Sequence, residues 1–231
     1  MEKKKTLKYS SSLLLLFVVL QAYPQKSEWN GVLVGADLSR FIVPITVSTR
    51  YGWEVSGEYE FMKDVFGNVE IGTQTTNVKF PNYNYSSDGF YTRLGVDYNY
   101  MKHLDEESSD KLLIGLRYGF TTFLHGANNI SITDNIWGDY TNGKVDKKLF
   151  GAGWMEIATG MRAHLFNNFY LGWSVRFRVK LFQQANNDLV PYHIPGYGRA
   201  WSNSRTGFNY SLYYKIPIVK KRKDSPDEKS N

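Results

Sequence analysis

The chain has 231 residues, of which 42% are hydrophobic and 22% charged, with a formal net charge of +6 and no cysteine. These proportions fit one folded domain and exclude disordered, collagen-like and disulfide-scaffold classes, together with any thiolate nucleophile or cysteine zinc site. Aromatic residues reach 16% beside 20 glycines, a pairing that suits strands and turns better than helices.

The first 22 residues carry Lys3, Lys4 and Lys5, a serine-rich step, the apolar run 13–20 and then Gln21-Ala22. That order is expected of a secretory signal peptide cleaved after Ala22, with an apolar run too short to span a bilayer, which takes about 20 residues. A basic tail, 219–231, contains Lys220, Lys221, Arg222 and Lys223. The positive excess sits mainly in these two ends. The body, 23–218, is nearly neutral, so no nucleic-acid partner is expected.

From residue 29 onward the pattern alternates with period two, and no stretch sustains a helical period. Eight strands are predicted in chain order, at 29–38, 51–61, 68–75, 89–100, 111–123, 153–166, 169–181 and 205–218. In 51–61 the odd positions Tyr51, Trp53, Val55, Tyr59 and Phe61 are apolar, while Glu54, Ser56, Glu58 and Glu60 hold the even ones. In 169–181 Phe169, Leu171, Trp173, Val175, Phe177, Val179 and Leu181 form the apolar face. The connections alternate as well. Met62–Gly67, Met101–Asp110 and Asn167-Asn168 are short, whereas 39–50, 76–88, 124–152 and 182–204 are long. This is an all-β, eight-stranded antiparallel up-and-down barrel, with short turns on one rim and four long loops on the other.

The apolar face is expected to point outward. Gly35, Gly72, Gly95, Gly115, Gly119, Gly160, Gly172 and Gly207 share the polar face, and glycine makes room inside a narrow barrel. The charges on that face balance in sign: Asp37, Glu54, Glu58, Glu60, Glu70, Asp97 and Glu156 against Arg93, Arg117, Arg162, Arg176, Arg178, Lys180 and Lys215. They are read as a lumen network paired across the barrel. Two aromatic girdles are expected, with Tyr51, Trp53, Phe90, Phe120, Trp154 and Phe208 toward the long loops and Trp29, Phe61, Tyr98, Tyr100 and Phe169 toward the short turns.

The signal segment, the opening Trp29-Asn30-Gly31-Val32-Leu33-Val34-Gly35-Ala36-Asp37-Leu38 and the closing 210–218 resemble the small eight-stranded outer-membrane barrels of the OmpX and OmpA-transmembrane kind. More narrowly, they resemble the uncharacterised barrel proteins of Bacteroidota. The resemblance implies a Gram-negative outer membrane, a lipid environment and delivery by the barrel-assembly machinery. Such barrels usually end on an aromatic residue, whereas here 219–231 follow the last strand as a charged periplasmic tail.

Chemical motifs are sparse. His103, His125, His164 and His193 show no ligand spacing, and no metal or cofactor is expected. A lipid-modifying enzyme would need a triad drawn from His125, His193, Ser202, Ser204 and Asp188, and no nucleophile-elbow motif supports one. The strand pattern also admits a narrow pore and a soluble lipocalin-like binding barrel. The leading reading is a non-enzymatic barrel that presents loops to an extracellular or periplasmic protein partner. Its candidate contact surface comprises Ile132, Ile136, Trp137 and Tyr140 in one loop and Tyr192, Tyr197 and Trp201 in another.

Overall fold

Alternating sequence gives alternating faces, and eight such segments pair edge to edge until no edge is left. A computed structural model describes residues 31–41, 49–101, 110–132, 138, 140–184 and 189–218. Its strands are β1 (Gly31–Asp37), β2 (Arg50–Met62), β3 (Val65–Lys79), β4 (Asn84–Asn99), β5 (Lys111–Ile132), β6 (Tyr140–Phe166), β7 (Phe169–Gln183), β8 (His193–Ile194), β9 (Gly198–Arg199) and β10 (Ser204–Pro217). The closed barrel runs β1-β10-β7-β6-β5-β4-β3-β2. Every neighbour in it is antiparallel. The short pair β8–β9 is a separate hairpin in the connection between β7 and β10.

Two of the connections expected to be long are largely strand. β3 and β4 stay paired to Lys79 and Asn84, and β5 and β6 to Ile132 and Tyr140. Beyond the barrel body the outer face no longer has to be apolar. The hydropathy alternation therefore fades into Asn, Asp, Lys and Gly while the backbone ladder continues. The β2–β3 and β6–β7 turns of the short rim are as tight as expected, with Asp64 and Asn167 at positive φ (61° and 48°), a conformation that asparagine and aspartate tolerate better than most residues. The signal segment, Trp29 and the charged tail lie outside the described residues.

β1 is short, and this shapes one side of the barrel. It ends with Ala36 opposite Val55 and Asp37 opposite Ser211, while β2 and β10 rise further. Above that point residues 50–54 of β2 and 204–210 of β10 have no β1 residue between them. Leu38 still donates to the Tyr210 carbonyl at 2.8 Å, and one helical turn follows at 39–41.

Inside, glycines and large side chains fit each other. A side chain at Gly119 would run into the Trp154 indole, one at Gly72 into the Tyr91 phenol, and one at Gly35 or Gly172 into the Tyr213 ring. Trp154 corrects the girdle expectation. It shares parity with Glu156 and Ala158, is fully buried and points into the lumen. Tyr51, Trp53, Phe90, Phe120 and Phe208 do face outward, as do Phe61 and Tyr98 toward the other rim.

The glycine fit predicts a contrast. Gly119→Val overfills the lumen against Trp154 and should lower stability by about 1–3 kcal/mol. Gly57→Val, where no atom lies within 4 Å of an added Cβ, should be neutral or stabilising. Urea unfolding of both variants in detergent micelles measures the difference, and equal midpoints would contradict the packing described.

Candidate functional site

The lumen network is built by strand register. Arg117 faces Glu156, which faces Arg178, which faces Arg205 on successive strands, and Glu70 faces Arg93. Because the barrel is narrow, these rows also meet across the lumen. Arg93 lies at the centre. Its Nη1 donates to Glu54 at 2.9 Å and to Glu70 at 2.7 Å, its Nε lies 3.0 Å from Glu156, and its Nη2 donates to the Gly196 carbonyl at 2.9 Å. Arg176 adds a contact to Glu70 at 2.5 Å. Arg178 adds one to Glu156 at 3.1 Å. Tyr91 and Trp154 complete the shell, donating at 2.6 Å to Glu54 and Glu156 respectively.

Toward the short turns, Arg162 crosses the lumen to Glu58, whose other partner is Asn68 at 3.0 Å. Arg117 holds both oxygens of Asp97 at 2.9 and 3.1 Å. Glu60 accepts the backbone N–H of Asp64 at 2.7 Å and so caps the β2–β3 turn. Lys215 is half-buried. Lys180 reaches the plug, donating to the Ala200 carbonyl and to Gln183. At the other end Asp37 binds Ser39 and Asn209.

The β7–β10 connection closes this end as a plug. Ile194, Tyr197 and Ala200 are buried with Tyr91, Phe123, Phe150, Ala152 and Trp154. Gly196 turns the hairpin at φ +77°, and any side chain there would strike the Tyr91 ring. Arg93 and Arg178 hold the plug from below through the carbonyls of Gly196 and Tyr197.

Beside the plug is a cavity of about 450 Å³, between the loop that follows β1, the tops of β2 and β10, and β8–β9. Arg40, Arg50, Arg178, Arg199 and Arg205 line it, and among the described residues no carboxylate does. His193 stands against it. Arg50 donates to His193 Nε2 at 3.2 Å, which makes that nitrogen an acceptor and the ring neutral. Burial, then Arg50, Arg40, Arg205 and Arg178, push its pKa down to about 3.

The expected contact surface divides. Ile132 and Tyr140 are exposed at the tip of the β5–β6 hairpin, and Trp201 is exposed as well. Ile136 and Trp137 lie outside the described residues. Tyr192 is half-buried, with rings of Phe80, Tyr85 and Trp201 at 5.3, 5.8 and 5.2 Å. Tyr197 is the correction: it is buried against Trp154 at 5.8 Å and presents no contact surface. Among the described residues the triad candidates do not come together either. His193 contacts Arg50 and Gln74, His125 lies among Tyr85, Phe123 and Phe150, and Ser202 donates to the Ser204 carbonyl at 2.6 Å. Asp188 is outside the described residues.

Strand parity does not find Arg40, because its even number places it off the inward row of β1. The helical turn at 39–41 ends that parity and brings it to Glu54 at 2.7 Å. Parity does place Arg50 and Arg205 on the inward rows of β2 and β10, at the strand ends and beyond the balanced set, and it is silent only on Arg199, which sits in the β8–β9 hairpin.

The fold and its interior define an eight-stranded β-barrel whose lumen is filled by paired charges, aromatic rings and an inserted hairpin. The chain belongs to the family described as "Domain of unknown function (DUF6048)", which matches residues 4–221. Among solved structures it is similar to Neisserial surface protein A, with a TM-score of 0.41 and 12% identity over 80% of this chain and 94% of that one. No curated protein matches.

The convergence on Arg93 sets an expectation for stability. Arg93→Met leaves Glu54, Glu70 and Glu156 short of their shared cation and should cost about 3–5 kcal/mol. Arg40→Met, at the partly exposed edge of the same network, should cost less. Denaturant midpoints of the refolded barrels give the order, and the reverse order would remove Arg93 from the centre of the network.

Proposed function

We propose that the protein is a non-enzymatic barrel of the bacterial outer membrane, exported by its first 22 residues and delivered by the barrel-assembly machinery, with a closed lumen and loops turned outward for a structural or binding role. One observation carries the reading: the outer wall is apolar on every strand of the barrel while the charges are inside. Val34, Val55, Ile71, Leu94, Leu116, Ile157, Val175 and Ile216 are each exposed, one per barrel strand. In water this would be an apolar surface far larger than monomeric proteins tolerate. In lipid it is the required surface, and the closed ladder leaves no backbone edge unsatisfied. A lipocalin-like barrel would put its apolar face inside and its charges outside, the opposite of what is seen.

The loop role rests on the exposed tip residues Ile132 and Tyr140 and on Trp201. A protein partner would meet the β5–β6 hairpin first, since it reaches furthest from the barrel body by paired residues. The charged tail 219–231 would lie on the periplasmic side.

The mature chain should insert into lipid vesicles and migrate faster on gels when unheated. Leu116→Arg, outward on β5, should lose about 2–4 kcal/mol of folding free energy in vesicles. Folding of that variant to the wild-type yield and stability, or recovery of the wild type as a soluble monomer, would overturn the membrane reading.

The filled lumen carries its own expectation. Planar bilayers containing the wild-type protein should show no steady conductance, because eight strands leave an interior that side chains fill. Regular porin-sized openings would mean that the plug and the charge pairs do not close it.

A further inference from the structure

The cavity at the loop end differs from the rest of the interior in one respect: its charge does not cancel. Deeper in the lumen, arginines and carboxylates are matched. Of the five arginines lining the cavity, Arg40 is paired with Glu54 and Asp37, and Arg178 with Glu156. Arg50, Arg199 and Arg205 have no carboxylate partner among the described residues. Arg205 stands in register with Arg178, so two guanidinium groups are neighbours on adjacent strands. Like charges placed together are unfavourable unless an anion joins them.

We propose that this cavity is a binding site for a phosphate-bearing anion. Four features support it besides the charge. Guanidinium groups present planar forks that match phosphate oxygens two at a time. The volume of about 450 Å³ falls within the range of small-ligand pockets and exceeds what a bare phosphate needs, leaving room for the group that carries it. Arg50 is held by its bond to His193 Nε2, so one of its remaining N–H groups is available at a fixed position.

The fourth feature concerns access. The cavity lies where β1 has stopped and β2 and β10 continue, and its lining includes Tyr51 and Phe208. Both are exposed on the outer wall. A headgroup carried by a lipid of the outer leaflet would therefore approach from the side, its acyl part against those two rings and its phosphate among the arginines. A soluble phosphate monoester would enter from above. The lipid route rests on the membrane reading, whereas the soluble route does not.

The test uses the full mature chain, wild type and Arg50→Gln/Arg205→Gln, in phosphatidylcholine nanodiscs and in detergent micelles. Heat-dependent migration is checked for each sample. In nanodiscs, native mass spectrometry compares retention of phosphatidate with that of diacylglycerol. In micelles, calorimetry titrates inorganic phosphate and glucose 6-phosphate. Phosphatidate should be retained and diacylglycerol not, and the double variant should weaken phosphatidate binding at least about tenfold while keeping its migration. Tighter binding of glucose 6-phosphate than of phosphatidate, with the same loss in the variant, assigns the site to a soluble anion. Binding of neither phosphate, or equal binding by wild type and a folded variant, overturns the proposal. If the variant does not fold, Arg199→Gln is tested in its place, with the same loss expected and the same outcomes deciding. If the wild type fails to insert, the membrane reading falls, and the micelle titration still decides whether the arginines hold phosphate.

Discussion

Three carboxylates, Glu54, Glu70 and Glu156, meet at the guanidinium of Arg93, and the rest of the interior depends on that meeting. Each of these groups would be costly to bury alone. Together they neutralise one another, with Arg176 and Arg178 adding cations at Glu70 and Glu156 and with Tyr91 and Trp154 donating to Glu54 and Glu156. The partners come from β2, β3, β4, β6 and β7. Glu70–Arg93 and Glu156–Arg178 join adjacent strands, whereas the contacts of Arg93 with Glu54 and Glu156 and of Arg176 with Glu70 cross the lumen and exist only once the barrel closes. Charge neutralisation is therefore completed by closure, and this makes the barrel interior specific as well as full.

The same centre fixes the loop end. Arg93 reaches the Gly196 carbonyl and Arg178 the Tyr197 carbonyl, so the plug hairpin is held by side chains already locked into the network. Rings then fill what charges cannot. Tyr91, Phe123, Phe150, Trp154 and Tyr197 pack together above the network, in space opened by glycines such as Gly72 and Gly119 on the facing strands. The shape of the mouth cavity is thus inherited from the lumen.

Strand parity makes much of this legible in advance. One face holding Leu94, Val96 and Tyr98 and the other Arg93, Gly95 and Asp97 states both the element and its orientation, because side chains in a strand alternate without exception until a bulge intervenes. Trp154 obeys that parity, and an expectation based on aromatic preference at the rims misplaces it. What parity cannot supply lies where the chain leaves the barrel body. The β5–β6 ladder to Ile132 and Tyr140 carries no hydropathy signal, since both of its faces meet water. Arg40 turns inward because of a helical turn, and Tyr197 because of the β8–β9 hairpin. Both depend on contacts between segments far apart in sequence.

The position of the unmatched charge follows from the same electrostatics. At mid-lumen the dielectric is low, and an arginine without a carboxylate would be strongly unfavourable, so the inward row is balanced there. At the mouth, water can hydrate a guanidinium, and a surplus is tolerated. Tolerance is not compulsion: Lys147, equally near water, is paired with Asp88 at 2.8 Å. Arg50, Arg199 and Arg205 instead gather around one cavity with no acidic residue in its lining among the described residues. They stand on three separate elements, β2, β9 and the base of β10, which only the closed barrel and its plug bring together. A surplus distributed for solubility would have no reason to converge on a concave site beside two outward aromatic rings, and a site for a phosphate group does.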